Sequence, residues 1–157
     1  MYQKILVPLD GSKLAECVLP HVEELARGCS AQEVILLSVT EPVEVHWSVP
    51  DSAMLTSERL MTETIGKKTS QAQRYLRRIW KKLNDKGIKV RTEVLIGNPA
   101  KQIASYAEHN ACDLIAMASH GRSGPSRWAF GSVADKVFRA SCVAVLMVRA
   151  PGCMPGI

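Results

Sequence analysis

Short apolar runs alternate with longer amphipathic segments along this chain. Each run is bounded by polar or turn-forming residues, and its near-continuous apolar character is typical of a parallel strand covered on both faces. The runs fall at residues 4–10, 33–39, 90–96, 113–118 and 142–148. Pro8 cannot donate a ladder hydrogen bond, so we place it near the carboxyl end of the first strand.

The segments between these runs carry apolar residues at helical spacing. Ser12 is a candidate N-cap for the first helix, and Pro20 should kink or divide that helix. Further helices are predicted at about residues 57–86, 103–110 and 132–140. Residues 41–56 lack clear periodicity, and a connection of this length is typical of a lid or a mobile loop.

Alternation of strands and helices predicts right-handed crossovers and an α/β fold. We therefore expect a doubly wound five-stranded parallel sheet with strand order 3-2-1-4-5 and helices on both faces. A chain of 157 residues favours one domain. We assign that domain to residues 1–149 and a flexible C-terminal tail to residues 150–157.

Composition supports a globular protein and argues against several special classes. No apolar run approaches the roughly 20 residues of a membrane-spanning helix, and the first residues lead into a strand with no cleavage site. We therefore expect a cytoplasmic protein without a membrane partner. The five cysteines are odd in number and lack C-x-x-C spacing, which favours free thiols over disulfides or a zinc site.

The charge balance does not favour a nucleic-acid partner. The formal net charge of +5 is modest for a dedicated nucleic-acid binder. The basic pairs of the long helix are most simply its solvated face. They are Lys67 with Lys68, Arg77 with Arg78, and Lys81 with Lys82.

The chemistry-bearing residues follow the first and fourth strands. In an open α/β sheet the ligand lies beyond the carboxyl ends of the strands, where the strand order reverses. Asp10 ends the first strand, and a glycine-rich loop from Gly121 to Ser132 follows the fourth and leads into a helix. Glycines let backbone N–H groups approach an anion, and a helix N-terminus adds donors and a positive dipole end. Arg122 and Arg127 could add charge.

Each of these residues also has a purely structural interpretation. Ser132 and Asp135 match an S-x-x-D capping box, and Asp10 could simply satisfy backbone amides near Ser12. His120 has no accompanying serine, cysteine and acid arrangement, so we assign no catalytic residue. The histidines lack metal-ligand spacing, and we assign no metal site made only of protein. The P-loop and dinucleotide-binding motifs are missing.

The residues from Lys4 to Arg149 resemble the universal stress protein family, and more closely its ATP-binding branch. The resemblance is carried by the opening segment 5–12, the turn at 97–99, the segment 113–117, and a loop in which Gly121 is followed after nine residues by Gly131 and Ser132. One position departs from the pattern. Ala118 stands where the family's motif begins with glycine, and alanine disfavours a positive φ.

The resemblance implies an ATP site with Mg²⁺ or Mn²⁺ bound through the phosphates. Asp10 would hold the ribose or base side, and the backbone of Val39 would frame adenine. Backbone amides of the glycine loop and the Ser132 hydroxyl would bind the phosphates. The implied cofactor-binding residues are Pro8, Asp10, Val39, Met117, Ala118, Gly121, Arg122, Gly131, Ser132 and Val133.

The function predicted from these features is that of a cytoplasmic ATP-binding stress-response or regulatory protein. The alternatives are a slow Mg-dependent ATP hydrolase or phosphotransferase, and a nucleotide-free scaffold. The last strand comes at a sheet edge, and long apolar edges are templates for pairing. This edge and the family resemblance predict a homodimer paired through the residues from Val143 to Val148.

Overall fold

Strands and helices alternate along the chain in the predicted order. The computed structural model describes residues 1–42, 54–121 and 131–152. Within them the strands are β1 (Lys4–Pro8), β2 (Glu33–Thr40), β3 (Val90–Ile96), β4 (Leu114–Ala118) and β5 (Ala144–Val148). The α-helices are α1 (Leu19–Gly28), α2 (Met54–Asn84), α3 (Pro99–His109) and α4 (Ser132–Ala140), and a short 3₁₀ helix, Ala15–Val18, precedes α1.

The five strands form one parallel sheet in the order β3-β2-β1-β4-β5. The predicted doubly wound α/β fold and its strand order are confirmed. β1 lies at the centre, where Leu6 is aligned with Ile35 of β2 on one side and Ile115 of β4 on the other. Pro8 is the last residue of β1, as predicted. The pairing of β1 with β4 stops at Leu6, whereas the pairing with β2 includes Pro8 and is followed by a hydrogen bond from the Leu9 N–H to the Leu37 carbonyl at 2.8 Å.

Alternating side chains of the central strands build two cores. Ile5 and Val7 point to a layer formed by α1 and α2, which includes Leu76 and Ile79. Leu6 points to the opposite layer, formed by α3 and α4. Burial on both faces explains why these strands are apolar throughout.

Local signals explain where the helices begin. The Ser12 hydroxyl accepts a hydrogen bond from the Ala15 N–H at 3.1 Å, so the predicted cap is present. The predicted first helix is divided into the 3₁₀ helix and α1, with Pro20 in the first turn of α1. Proline is tolerated there because the first N–H groups of a helix have no intrahelical partner. Helix α3 begins earlier than predicted, since Asn98 caps it through Lys101 N–H and Pro99 opens it.

The structure also bears on three further expectations, which concern the connection after β2, the cysteines and membrane-spanning helices. Helix α2 begins at Met54, inside the predicted connection of residues 41–56, and residues 43–53 of that connection lie outside the described residues. Cys29, Cys112 and Cys142 are free thiols, as expected. Cys153 lies outside the described residues. Among the described helices, none combines the length and the apolar character needed to cross a membrane.

The contact between α2 and the sheet can be tested at Leu76, which is fully buried in the core. Leu76→Ala should lower the free energy of unfolding by about 2–5 kcal/mol, because it removes buried apolar atoms and leaves a cavity. Urea denaturation provides the measurement. The neighbouring exposed residue supplies the control, since Arg77→Ala should change the same quantity by less than about 0.5 kcal/mol. Equal effects of the two substitutions would contradict this packing.

Candidate functional site

A cavity of about 680 Å³ opens at the carboxyl edge of the sheet. β1 pairs with β2 on one side and with β4 on the other, so the strand order reverses beside β1. The cavity lies at this switch point of the doubly wound sheet. Its volume falls within the roughly 300–1,000 Å³ typical of small-molecule sites. Residues from β1, β2, β4 and the helices on both faces line it.

The structure brings the predicted site residues together. Every one of them that the structure describes lines this cavity, although they come from three strands, a loop and a helix. They are Pro8, Asp10, Val39, Met117, Ala118, Gly121, Gly131, Ser132 and Val133. Arg122 and Arg127 lie outside the described residues.

The Asp10 carboxylate is held in place by the turn that follows β1. Its Oδ1 accepts hydrogen bonds from the Ser12 N–H at 2.9 Å and from the Ser12 hydroxyl at 2.6 Å. The structural role considered for Asp10 is therefore present. Because the same carboxylate also lines the cavity, satisfying the turn does not remove it from the site.

Gly121 lies directly against this carboxylate. A Cβ at position 121 would collide with Asp10 Oδ2 and would lie 3.1 Å from Asp10 Cγ. A larger residue here would have to displace the Asp10 carboxylate, so the close approach of the two segments favours glycine. The departure at Ala118 has no backbone consequence, because Ala118 is the last residue of β4 and has the extended conformation that alanine readily adopts.

Ser119 links Gly131, at the end of the glycine loop, to the last residue of β5 and to Ala150 beyond it. Its carbonyl accepts from the Gly131 N–H at 2.8 Å, and its own N–H donates to the Val148 carbonyl at 2.7 Å. The Ser119 hydroxyl accepts from the Ala150 N–H at 3.1 Å and lies 3.1 Å from His120 Nδ1. Both side chains are buried, and both residues belong to the lining of the cavity.

The first turn of α4 faces the cavity without a side-chain cap. Gly131 occupies the N-cap position with an extended backbone, and no side chain of the described residues caps the helix. The alternative of a capping box formed by Ser132 and Asp135 is wrong. Ser132 is the first helical residue, and the Asp135 carboxylate accepts instead from Arg139 Nε at 3.0 Å. An uncapped helix N-terminus is suited to binding an anion.

Helix α2 forms a cavity wall that was not predicted. Lys68, Gln71, Ala72 and Tyr75 line the cavity, and their spacing places them on one helix face. Lys68, expected on a solvated face, is exposed but also borders the cavity. The sequence signal that could have revealed this wall is the i, i+3, i+4 and i+7 spacing of its four residues, which places them on one helix face. Which part of a long helix extends past the sheet edge depends on tertiary packing.

The electrostatics of this wall centre on Tyr75. Burial raises the pKa of its phenol above the ordinary value, and the nearby carboxylates of Glu16 and Asp10 raise it further, while Arg78 opposes them. Tyr75 therefore keeps its proton at neutral pH. Among the described residues, no cluster of three or more His, Cys, Asp or Glu side chains could hold a metal ion.

The chain resembles proteins of one family over nearly its whole length. Residues 1–149 match the family model described as the Universal stress protein family. Universal stress protein MJ0577 of Methanocaldococcus jannaschii is 35% identical over 156 residues, covering 95% of this chain and 96% of that protein. The solved structure of MJ0577 aligns with a TM-score of 0.82 at 34% identity, over 97% of this chain and 99% of that one.

Two more distant solved structures share the fold and contain nucleotides. One is a universal stress protein in complex with cAMP, which has a TM-score of 0.68 at 20% identity, over 95% of this chain and 98% of that one. The other is a universal stress protein family protein from Arabidopsis thaliana with AMP bound. It has a TM-score of 0.65 at 14% identity, over 96% of this chain and 93% of that one.

The environment of Tyr75 predicts a loss of stability at alkaline pH. An unfolded tyrosine releases its proton near pH 10, whereas the folded chain retains it. The folded state then binds more protons than the unfolded state, so the free energy of unfolding falls as the pH rises above about 10. The slope is at most about 1.4 kcal/mol per pH unit, and less for a partly exposed phenol. Urea denaturation between about pH 9 and 11 should give a shallower fall for Tyr75→Phe, and equal slopes would contradict this assignment.

Proposed function

Because the chain belongs to the universal stress protein family, we propose that its carboxyl-edge cavity binds ATP, with Mg²⁺ or Mn²⁺ held by the phosphates. We also propose that the protein acts as a nucleotide-binding regulator of a stress response. The observation that carries the proposal is the convergence of Asp10, the two loop glycines and the uncapped N-terminus of α4 on one cavity. The relatives solved with cAMP and AMP support an adenine nucleotide as the ligand.

The lining of the cavity supports a specific orientation of the nucleotide. Val39 and Met117 belong to the apolar cluster on the α3 and α4 side, which suits an adenine ring. The Asp10 carboxylate suits ribose hydroxyls as an acceptor. At the other end, Ser132 and the backbone of the first turn of α4 suit phosphate oxygens, because backbone donors and the helix dipole favour negative charge.

The free thiols support a cytoplasmic location. Cys29, Cys112 and Cys142 are free thiols, with no disulfide partner among the described residues. Disulfides are rare in the cytosol, where cellular reductants keep thiols reduced. The proposed ligand is an intracellular metabolite, which agrees with this compartment.

Gly131 provides the test of nucleotide binding. A Cβ at this position would lie 3.1 Å from the Ser119 carbonyl oxygen, so the branched side chain of Gly131→Val would displace the loop from the helix start. Loss of a backbone hydrogen bond to a charged phosphate should weaken ATP binding roughly 10- to 150-fold in calorimetry.

The same substitution at an open position provides the control. A Cβ at Gly66 of α2 meets nothing within 4 Å, so Gly66→Val should bind ATP like the wild type. Thermal melting of both variants would verify that they fold. Equal ATP affinity of the wild type and a folded Gly131→Val protein would contradict the proposed site.

We also propose that two chains pair through the residues from Val143 to Val148. β5 has a hydrogen-bonded neighbour, β4, on one side and forms an edge of the sheet. The last four residues of β5, from Val145 to Val148, have half-buried apolar side chains, and none of them is a proline or carries a charge. An apolar edge of this kind is a template for pairing, and a two-fold axis would make it self-complementary.

Light scattering tests this pairing. The wild type should have twice the 17.2 kDa mass of the chain, and Val145→Glu should shift it toward the monomer because the axis brings the two new charges together. Thr92→Glu adds the same charge to an exposed position of β3 at the opposite edge and should leave the mass unchanged. A wild type that remains monomeric at high micromolar concentration would contradict the dimer.

A further inference from the structure

Helix α2 carries the excess positive charge of the chain. Residues 64–84 contain seven basic residues and no acidic one, whereas the whole chain has 20 basic and 15 acidic residues. The rest of the chain is therefore slightly acidic. Positive charge that is concentrated on one element in this way attracts an anionic partner.

Four of these basic residues form one continuous row on the helix, which we call the outer stripe. All four are exposed, and they are Lys67, Arg74, Arg77 and Lys81. With 3.6 residues per turn they lie within an arc of about 80°, and the stripe is about 21 Å long. It faces away from the core, because Leu76, Ile79 and Leu83 occupy the opposite side of the helix and are buried.

The charge of the outer stripe is not neutralised by the described part of the chain. None of its four side chains has an ion-pair partner among the described residues. Two acidic residues that lie beside α2 are engaged by other cations, since Glu16 bonds Arg78 at 2.7 Å and Glu23 bonds Lys86 at 2.6 Å. Like charges one helical turn apart repel each other, so an anionic ligand would relieve this repulsion.

The width of the outer stripe favours a narrow anionic ligand. Its cations occupy the width of a single helix, and the carboxylates of Glu16 and Glu23 flank that helix. These carboxylates would repel the broad phosphate surface of a nucleic-acid duplex or of an anionic membrane. An extended peptide rises about 3.3 Å per residue, so a segment of about seven residues would span the stripe.

The side chains of this region favour an acidic peptide over a single-stranded nucleic acid. Proteins that bind single strands stack the bases on aromatic side chains. Tyr75 and Trp80 of α2 are half-buried against the core, and the Trp80 indole N–H donates to the Val90 carbonyl at 3.0 Å. Arg74 and Arg77 lie about one turn apart and present guanidinium groups, whose planar fork matches the two oxygens of a carboxylate.

We propose that the outer stripe of α2 is a docking surface for an acidic, extended segment of a partner protein, whose carboxylates bond its four cations. This inference goes beyond the proposed nucleotide site and does not rest on it, because none of the four residues lines the cavity. Such a surface would give the proposed regulator a contact through which it acts on another protein.

Fluorescence anisotropy of a labelled heptaglutamate peptide tests the proposal. The wild type should bind the peptide, and the affinity should fall as salt rises from about 50 mM to about 200 mM, because salt screens exposed charges. A variant with both Arg74→Gln and Arg77→Gln should bind the peptide roughly 2- to 30-fold more weakly, which is the loss expected for two exposed ion pairs.

Lys101 and Lys136 provide a control of matched charge. They are exposed residues of α3 and α4, the helices on the opposite face of the sheet. A variant with both Lys101→Gln and Lys136→Gln loses as much positive charge as the stripe variant but should retain the wild-type affinity for the peptide. Thermal melting of both variants verifies that they fold, since substitutions at exposed positions change stability little.

Three results would overturn the assignment. The first is a wild type that does not bind heptaglutamate at high micromolar concentration and low salt. The second is an equal loss of affinity in the two variants, which would indicate attraction to net charge alone. The third is tighter binding to oligothymidylate or to phosphatidylserine vesicles than to the peptide, lost in the stripe variant, which would indicate a nucleic-acid or membrane partner. A loss of peptide binding confined to the stripe variant supports the docking surface.

Discussion

A parallel sheet buried on both faces confines polar chemistry to the ends of its strands. In this protein β1 is surrounded by β2, β4 and two helical layers, and its side chains from Ile5 to Val7 are entirely buried. Backbone N–H and C=O groups are available for bonds outside the sheet only where the strands end. The carboxyl edge therefore carries the turn at Asp10, the end of β4 and the start of α4. The cavity is a direct result of how this sheet is covered.

The strand positions were predictable because burial on both faces leaves a strong signal in the sequence. The apolar run of β3 matched its observed bounds, as did the amphipathic pattern of α4. Helix starts were harder to place, since they depend on single residues such as Asn98, whose side chain caps α3. The capping box was wrong for a related reason. Sequence spacing at Ser132 does not reveal that Gly131 already holds the N-cap position.

The candidate site was predicted where its residues lie close to the strand ends. Asp10 and the start of the loop after β4 could be placed at one edge from strand order alone, and Met117 was placed there by the family resemblance. The α2 wall could not, because its contribution depends on how far a 31-residue helix rises above the sheet. The strand order predicts that the loop after β4 faces Asp10 across the crevice, but it does not predict the direct contact of Gly121 with the carboxylate, which forms only when these distant segments pack together.

The approach of Gly121 to Asp10 makes these two positions evolutionarily dependent on each other. A side chain at 121 would have to displace the carboxylate of residue 10, so a lineage that acquires a larger residue at 121 must move or shorten the side chain of residue 10 or rebuild the turn that holds it. Either step alters the acceptor that faces the cavity. Drift at the glycine is therefore inseparable from a change in what the pocket recognises, and variation at the two sites should occur in pairs.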